Sequence, residues 1–447
     1  MERGGRVLIL GGGFAGVYTA LALQEELRGL RARVAIVNRE NFFVFYPMLP
    51  ETISGAIDTE HVLNPIRQIV PQAKLYVGEV VAIDLDGGKV EIRHGLYGHQ
   101  QTPRTLYYDH LVLALGGTPS TSHIPGLAEY AFDVQRLSTA FALRNHIIDT
   151  LEQAAIERDS EVRQRLLTYV VIGGGATGVE IAAELDTMLD DAIQFYPDID
   201  PAEARVIIAE YAPRLLGPLP EDLAEFARRS LEERGVIVRT STAVERVERR
   251  EVHLAGGEVI ASETVIGSVG VDVNPLIRDL PGPHDQKGRL IASDALLVGE
   301  HRNVWAIGDN ARVYDPHTGE PYPQTAQHAV REARTVAHNI AATIRGRPLR
   351  AMDYKTKGQL VALGKHNAVA QVFGHKFEGF PAWWLWRTYY LAQMPLWEKR
   401  LRVMFSWTID LFFPPPLVQL KVGQPAPMAE RGGGMRDEGR GMGGTER

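Results

Sequence analysis

Val7-Leu8-Ile9-Leu10-Gly11-Gly12-Gly13-Phe14-Ala15-Gly16 sets the fold of everything downstream of it. Four apolar residues, enough for a buried parallel strand, run directly into Gly11, Gly13 and Gly16, and from Val17 to Leu27 the apolar spacing turns helical. A strand, a tight turn and a helix are expected. The first glycine lets the turn close, the second lets a ligand approach the backbone, and the third lets the helix pack on the strand, leaving N–H groups and the positive end of the helix dipole facing a pyrophosphate. The stretch predicts a dinucleotide site, although a glycine-rich loop without a ligand would show the same spacing.

The second observation comes at Tyr169-Val170-Val171-Ile172, which leads into Gly173-Gly174-Gly175-Ala176-Thr177-Gly178 with the same spacing. Two copies, each after an apolar strand and before a helix, predict two dinucleotide-binding units in a chain of 447 residues, long enough for two or three cores. The next strands end differently. Arg33 to Val37 ends at Asn38, where such folds usually place an acid for the ribose, with Glu40 two residues on. Asn38 is read either as a hydrogen-bonding candidate or as an ordinary loop residue. Arg205 to Ala209 ends at Glu210, which can accept hydrogen bonds from both ribose hydroxyls and repels a 2′-phosphate, so the second site is expected to prefer NAD(H).

Composition narrows the chemistry. Hydrophobic residues at 45% and charged residues at 23% suit a globular protein, and a net charge of -7 argues against a nucleic-acid partner. With no cysteine, disulfides, redox-active thiol pairs, thiolate metal sites and iron–sulfur clusters are all impossible. Electron chemistry therefore falls to a bound organic cofactor, and no metal site is expected. Met1 to Arg6 enters the first strand without an apolar leader, which reads as a cytoplasmic start. No apolar stretch reaches the roughly 20 residues of a spanning helix.

Between and beyond the glycine motifs the chain carries further markers. Asn41 to Glu51 is rich in aromatics and proline, too irregular for a strand, and expected either to lie over something flat or to pack as core. Tyr108 to Pro119 is an apolar strand running into Gly116-Gly117, and residues 133–165 read as helical. Asn303 to Ala311 delivers Gly308-Asp309 at the end of a buried strand, where open α/β sheets bind ligands; Asp309 could take sugar-alcohol hydroxyls or donors of a flavin chain. Pro323 to Ala333 opens a helix running to about Ile344.

The C-terminal region differs in character. Five of the six tryptophans fall between Trp383 and Trp407, and Trp383, Trp386, Tyr390, Met394, Trp397 and Leu401 recur at helical spacing, with a bend expected at Pro395. Arg387, Lys399, Arg400 and Arg402 flank that face against a single acid, Glu398. Such a segment lies flat in a bilayer interface; a homodimer interface or a cover over the core is the competing reading. The glycine-rich tail from Gly423 is expected to be disordered.

Taken together, the two glycine motifs, Gly308-Asp309 and the Leu115-Gly116-Gly117-Thr118-Pro119 strand end resemble the two-dinucleotide-binding-domain flavoproteins. Asn41 to Glu51, Ala326-Gln327-His328-Ala329 and the segment from Gly379 through Phe412-Phe413-Pro414 resemble, more narrowly, the type II NADH:quinone oxidoreductases. Relatives that work through a disulfide, such as sulfide:quinone oxidoreductases, are excluded by the absence of cysteine. The resemblance implies two Rossmann-like α/β domains, the first discontinuous: an FAD domain over 1–125 and 286–350, and an NADH domain over 126–285. A membrane-association or dimerisation region over 351–422 and the tail over 423–447 complete the chain.

It also implies hydride transfer from NADH to FAD and two-electron reduction of a membrane quinone, without proton pumping, by a peripheral enzyme on the cytoplasmic face of the cell membrane. The implied FAD residues are Gly11, Gly13, Phe14, Ala15, Gly16, Asn38, Arg39, Pro47, Ala114, Gly116, Asp309, Ala326 and Gln327. Gly173, Gly175, Gly178, Glu180 and Glu210 are implied for NADH, with Glu180 and Gln327 catalytic. Glu180 is expected near the start of its helix as a dipole-stabilised anion. Where the family usually has a second glutamine four residues after Gln327, this chain has Arg331. Reduction of a soluble acceptor such as ferredoxin, or redox sensing without turnover, is the alternative.

Overall fold

The first glycine motif folds as its spacing requires, with strand Arg6–Leu10 leading into helix α1 (Phe14–Glu26). The structure is a computed structural model that describes residues 5–94, 102–134 and 136–419, so the tail predicted to be disordered lies outside the described residues. Arg6–Leu10 is the centre of a five-stranded parallel sheet, with Ile9 paired to Ile36 on one side and to Val112 on the other. The outer strands are Lys74–Val77 beside Arg33–Asn38 and Val304–Ala306 beside His110–Leu113. The last strand arrives after an entire second unit, which makes the first unit discontinuous. Strand residues 7–10 and 304–306 are all buried, because a parallel sheet covered on both faces offers no strand a wet side.

The Asn41 to Glu51 stretch is more regular than expected. Phe42–Val44 forms a short strand paired antiparallel with Leu63–Pro65, and Glu51–Ser54 forms a one-turn helix, α2. Phe43 then packs edge to face on both Phe14 and Phe45, with Phe45 tilted against Phe14 and ring centroids 4.9 to 6.4 Å apart.

The second unit repeats the plan. Its sheet runs Phe132–Asp133, Thr264–Gly267, Thr168–Ile172, Arg205–Ala209, Ile237–Arg239, all parallel. The predicted helix over 133–165 is interrupted: α3 covers Leu137–Ile156, and a separate helix starts at Ser160, where the Asp159 carboxylate caps the N–H groups of Glu161 and Val162. An N-capping side chain starts a new helix more readily than it continues an old one. Helix α4 (Ala176–Ile193) follows the second glycine motif.

Helix α5 (Ala326–Ile344) packs on α1. A three-stranded meander over residues 358–378 leads to α6 (Gly379–Gln393) and α7 (Trp397–Asp410), which break at Met394-Pro395-Leu396 as the proline predicts. The aromatic stripe does not form one exposed face. Trp383, Trp386, Met394 and Trp407 are buried against the body, while Trp397 is 72% exposed. The outward residues are instead Phe380, Trp384, Trp397, Phe405, Ile409, Phe412 and Phe413. Among the described residues no helix is long and apolar enough to cross a membrane.

Candidate functional site

The glycines of the two motifs match one for one. A Cβ on Gly11 would lie 2.0 Å from the Ala114 carbonyl oxygen, and one on Gly173 would lie 2.3 Å from that of Ser268. A Cβ on Gly16 or Gly178 would lie 1.9 Å from the carbonyl oxygen of Gly11 or Gly173, respectively. At Gly13 and Gly175 it would meet nothing within 4 Å. The outer glycines of each motif are thus required by the protein's own backbone, and the middle one opens outward. Neither α1 nor α4 has a capping side chain, and each has a glycine in extended conformation at its N-cap. The first-turn N–H groups therefore face the opening, in the geometry that receives an anion.

The post-strand polar residues lock these loops. Asn38 Oδ1 accepts from Gly12 N–H at 2.9 Å, and Asn38 Nδ2 donates to the Glu40 carbonyl. Glu210 Oε2 accepts from Gly174 N–H at 2.5 Å and Oε1 from Ala212 N–H at 2.7 Å. Both Glu210 oxygens thus already hold backbone, and a ribose would use their remaining lone pairs.

One cavity of about 750 Å³ extends from the first loop to α4 and α6. Gly11, Gly13, Phe14, Ala15, Asn38, Arg39, Pro47, Ala114, Gly116, Asp309, Ala326, Gln327 and Glu180 all line it. Gly16 lies beneath the loop, and Gly173, Gly175, Gly178 and Glu210 are outside the lining, while Ala176 and Thr177 of the second loop line the cavity wall. Arg39, mostly exposed, pairs with Glu79 at 3.1 Å at the cavity edge. The Gln327 amide is held on both ends, donating to the Gly358 carbonyl and accepting from the Tyr354 hydroxyl, each at 3.0 Å. The Arg331 guanidinium lies 5.0 Å from the centre of the Tyr354 ring and has no carboxylate partner among the described residues.

Glu180 departs from expectation. It is the fifth residue of α4, past the first turn, and it sits in the cavity wall with Oε1 accepting from Ala362 N–H at 3.2 Å. Burial pushes its carboxyl up to about 8; the Ala362 N–H and Trp386 oppose that rise, and nearby Glu184 and Glu51 add to it by repulsion. At neutral pH it therefore carries a proton rather than a dipole-stabilised charge: desolvation acts on the whole carboxylate, while the dipole fades beyond the first turn.

Two supporting residues gave no signal in the sequence. Glu332 Oε2 accepts from Gly308 N–H at 2.6 Å from beneath the Gly308-Asp309 turn, and burial raises its own carboxyl to about 7. Asn310 Nδ2 donates to the Gly116 carbonyl at 2.7 Å, tying that turn to the neighbouring strand end. Asp309 is left facing the cavity, its carboxyl raised by burial.

Comparison with known proteins agrees with this geometry. Residues 5–333 match the pyridine nucleotide-disulphide oxidoreductase family and residues 356–414 the NDH2 C-terminal domain. The chain is 33% identical over 409 residues to demethylphylloquinone reductase NdbB of Synechocystis sp., covering 90% of this chain and 95% of that one. It is 30% identical over 420 residues to the type II NADH:quinone oxidoreductase Ndh of Mycobacterium tuberculosis, covering 90% and 87%. The fold matches that of NDH2 from Plasmodium falciparum, solved in complex with NADH, with a TM-score of 0.85 at 19% identity, covering 93% of this chain and 100% of that one. Similarity that runs unbroken from the first glycine loop through the C-terminal helices shows that this chain belongs to the pyridine nucleotide-disulphide oxidoreductases and, within them, to the type II NADH:quinone oxidoreductase family.

Proposed function

We propose that the chain oxidises NADH through bound FAD and reduces a membrane quinone, with the net balance NADH + H⁺ + quinone → NAD⁺ + quinol and no proton pumping. The observation that carries this reading is the cavity that joins an open glycine loop, the buried Glu180 and the aromatic face of α6 at Tyr389 and Tyr390. FAD fits the first unit: Gly13 leaves room where its pyrophosphate would lie, Phe14 and Ala15 offer backbone N–H groups, and Asp309 faces the chain between. Gly11, Gly16, Asn38, Gly116 and Ala114 shape that cradle, with Arg39, Pro47, Ala326 and Gln327 along its length. When bound, the flavin supplies the two-electron step between nicotinamide and quinone. Gly173, Gly175 and Gly178 form the matching NADH loop, with Glu210 excluding a 2′-phosphate.

Glu180 holds a proton at the cavity wall and gives it to the quinone oxygen as that oxygen gains electrons. Gln327, fixed by Tyr354 and Gly358, orients the ring, and Arg331 stabilises developing negative charge. The division into an FAD domain, an NADH domain and a C-terminal region follows the two sheets and the break after α5. The exposed aromatics of α6 and α7, beside Lys399 and Arg402, support the reading of a peripheral enzyme on the bilayer surface, working from the cytoplasmic side that supplies NADH. A homodimer through the same helices is the competing use of that surface.

Purified protein tested with menaquinone, ubiquinone and ferricyanide side by side decides the reading. A yellow protein that reduces at least one quinone is expected. A colourless protein, or one that reduces only ferricyanide or an iron–sulfur protein, overturns it.

A further inference from the structure

Behind Glu180, out of the cavity, stand two more acids with almost no exposure: Glu184 at 5% and Glu51 at 4%. Glu184 is one helical turn beyond Glu180 on α4, so the two share a face, and α2 brings Glu51 and Ser54 against that face. The Ser54 hydroxyl donates to Glu184 Oε2, and the Trp407 indole donates to Glu51 Oε2 at 2.7 Å. The three carboxyls repel one another when charged.

Two cations, Arg387 and Arg234, act on the three carboxyls. Arg387 on α6 is clamped between the Trp383 and Trp407 rings, 4.1 and 4.5 Å from their centres, and its Nε has no hydrogen-bond partner. Arg234, on the far side of Glu184, is committed to Asp186 at 2.6 Å. Arg144 of α3 donates to the Ile53 carbonyl at 2.8 Å. Toward solvent the row ends at half-buried Asp410 of α7, which feels Arg387, Lys365, Asp191 and His366. Tyr390 and Trp386 close the side nearest Glu180.

Burying acids without matching cations is a poor way to stabilise a fold. Hydrogen-bonded acids spaced along one face are suited to holding and passing protons. Resting on the quinone-reductase reading above, we propose that Glu51 and Glu184 reload Glu180 with the proton each turnover consumes, through a relay whose outer end is Asp410. Per turnover one proton enters at Asp410, one passes from Asp410 to Glu51, one from Glu51 to Glu184, one from Glu184 to Glu180, and one leaves Glu180 for the quinone oxygen, so each carboxyl ends as it began. The electron pair and the hydride hydrogen come from NADH, so no carboxyl changes oxidation state. Glu51 and Glu184 act through Glu180 and touch neither substrate.

The test uses holoenzyme carrying Glu184→Gln, Glu51→Gln or Glu184→Asp. Glutamine keeps an acceptor for Ser54 or Trp407, and FAD content with a thermal melt checks folding. Stopped-flow bleaching of flavin by NADH, which takes no proton from the relay, is expected to stay within about twofold of wild type. Reoxidation by ubiquinone-1 at pH 8 is expected to slow at least about tenfold in both glutamine variants, with a larger solvent isotope effect, and to recover in Glu184→Asp. Infrared titration of the protonated carboxyl bands is expected to show the Glu180 midpoint falling in Glu184→Gln, as the repulsion is removed.

Reoxidation within twofold of wild type in both glutamine variants from pH 6 to 9, or equal slowing of the bleaching step, overturns the relay. An unmoved Glu180 midpoint also overturns it. Wild-type flavin that no quinone reoxidises defeats the underlying reading instead, and the infrared titration still reports on the acid row.

Discussion

Asn38 and Glu210 occupy equivalent places and perform one structural task with different charge: each stands at the end of the strand that comes next after its glycine motif and accepts the N–H of Gly12 or Gly174. The first unit therefore closes with a neutral amide and the second with a carboxylate. Glu210→Gln keeps the acceptor and removes the charge. We expect the preference for NADH over NADPH to fall about tenfold, equivalent to about 1.4 kcal/mol, with FAD content unchanged. Steady-state kcat/KM for the two nucleotides measures it, and an unchanged ratio rejects the role.

The glycines separate folding from binding. Gly16→Ala drives a methyl to 1.9 Å from the Gly11 carbonyl oxygen, so the turn must open. A loss of stability of about 1–3 kcal/mol and loss of bound FAD are expected in a thermal melt and by flavin absorbance. Gly175→Ala points its methyl into open space, where the NADH pyrophosphate would lie. Its melt should match wild type while KM for NADH rises about tenfold; equal damage to both properties would contradict the assignment.

Stability should fall as pH rises. Burial lifts Glu180 to about 8 and both Glu184 and Glu332 to about 7, all from an ordinary 4.5. Between those values the native state holds protons that the unfolded chain has released, so the contribution is full below pH 4.5 and is lost as pH climbs through 7 and 8. Calorimetry of the holoenzyme between pH 6 and 9 should show the melting temperature dropping by several degrees, with Glu180→Gln flattening the slope. A melting temperature that rises over this interval would reverse the protonation assignment.

Arg331 replaces a residue that the family resemblance expects to be glutamine, and it lines the cavity with no carboxylate partner among the described residues. Arg331→Gln should lower kcat/KM for quinone by about tenfold and leave flavin bleaching by NADH unchanged. Pre-steady-state comparison of the two half-reactions tests this. An effect on the NADH step alone would place Arg331 at the wrong substrate.

The outward aromatics of α7 predict membrane binding without a spanning segment. Trp397→Glu with Phe412→Glu removes two side chains that are 72% and 75% exposed. Loss of co-sedimentation with phosphatidylglycerol-containing vesicles is expected, with ferricyanide reduction retained. Retained vesicle binding, or a change from dimer to monomer in light scattering with vesicle binding intact, would assign the surface to a second copy of the chain.

Local sequence determined the two glycine turns, the Gly308-Asp309 strand end and the absence of thiol chemistry, because each depends on backbone geometry or residue type within a few positions. The helix break at Pro395 was legible for the same reason. Tertiary structure alone decided that burial raises the Glu180 carboxyl, that Trp383, Trp386 and Trp407 turn inward, and that Glu332 steadies the turn at Gly308. A carboxyl's charge and an indole's burial depend on desolvation by segments far apart in the chain. Glu180 meets residues near positions 51, 362 and 386 only after folding, and no spacing along the sequence records that meeting.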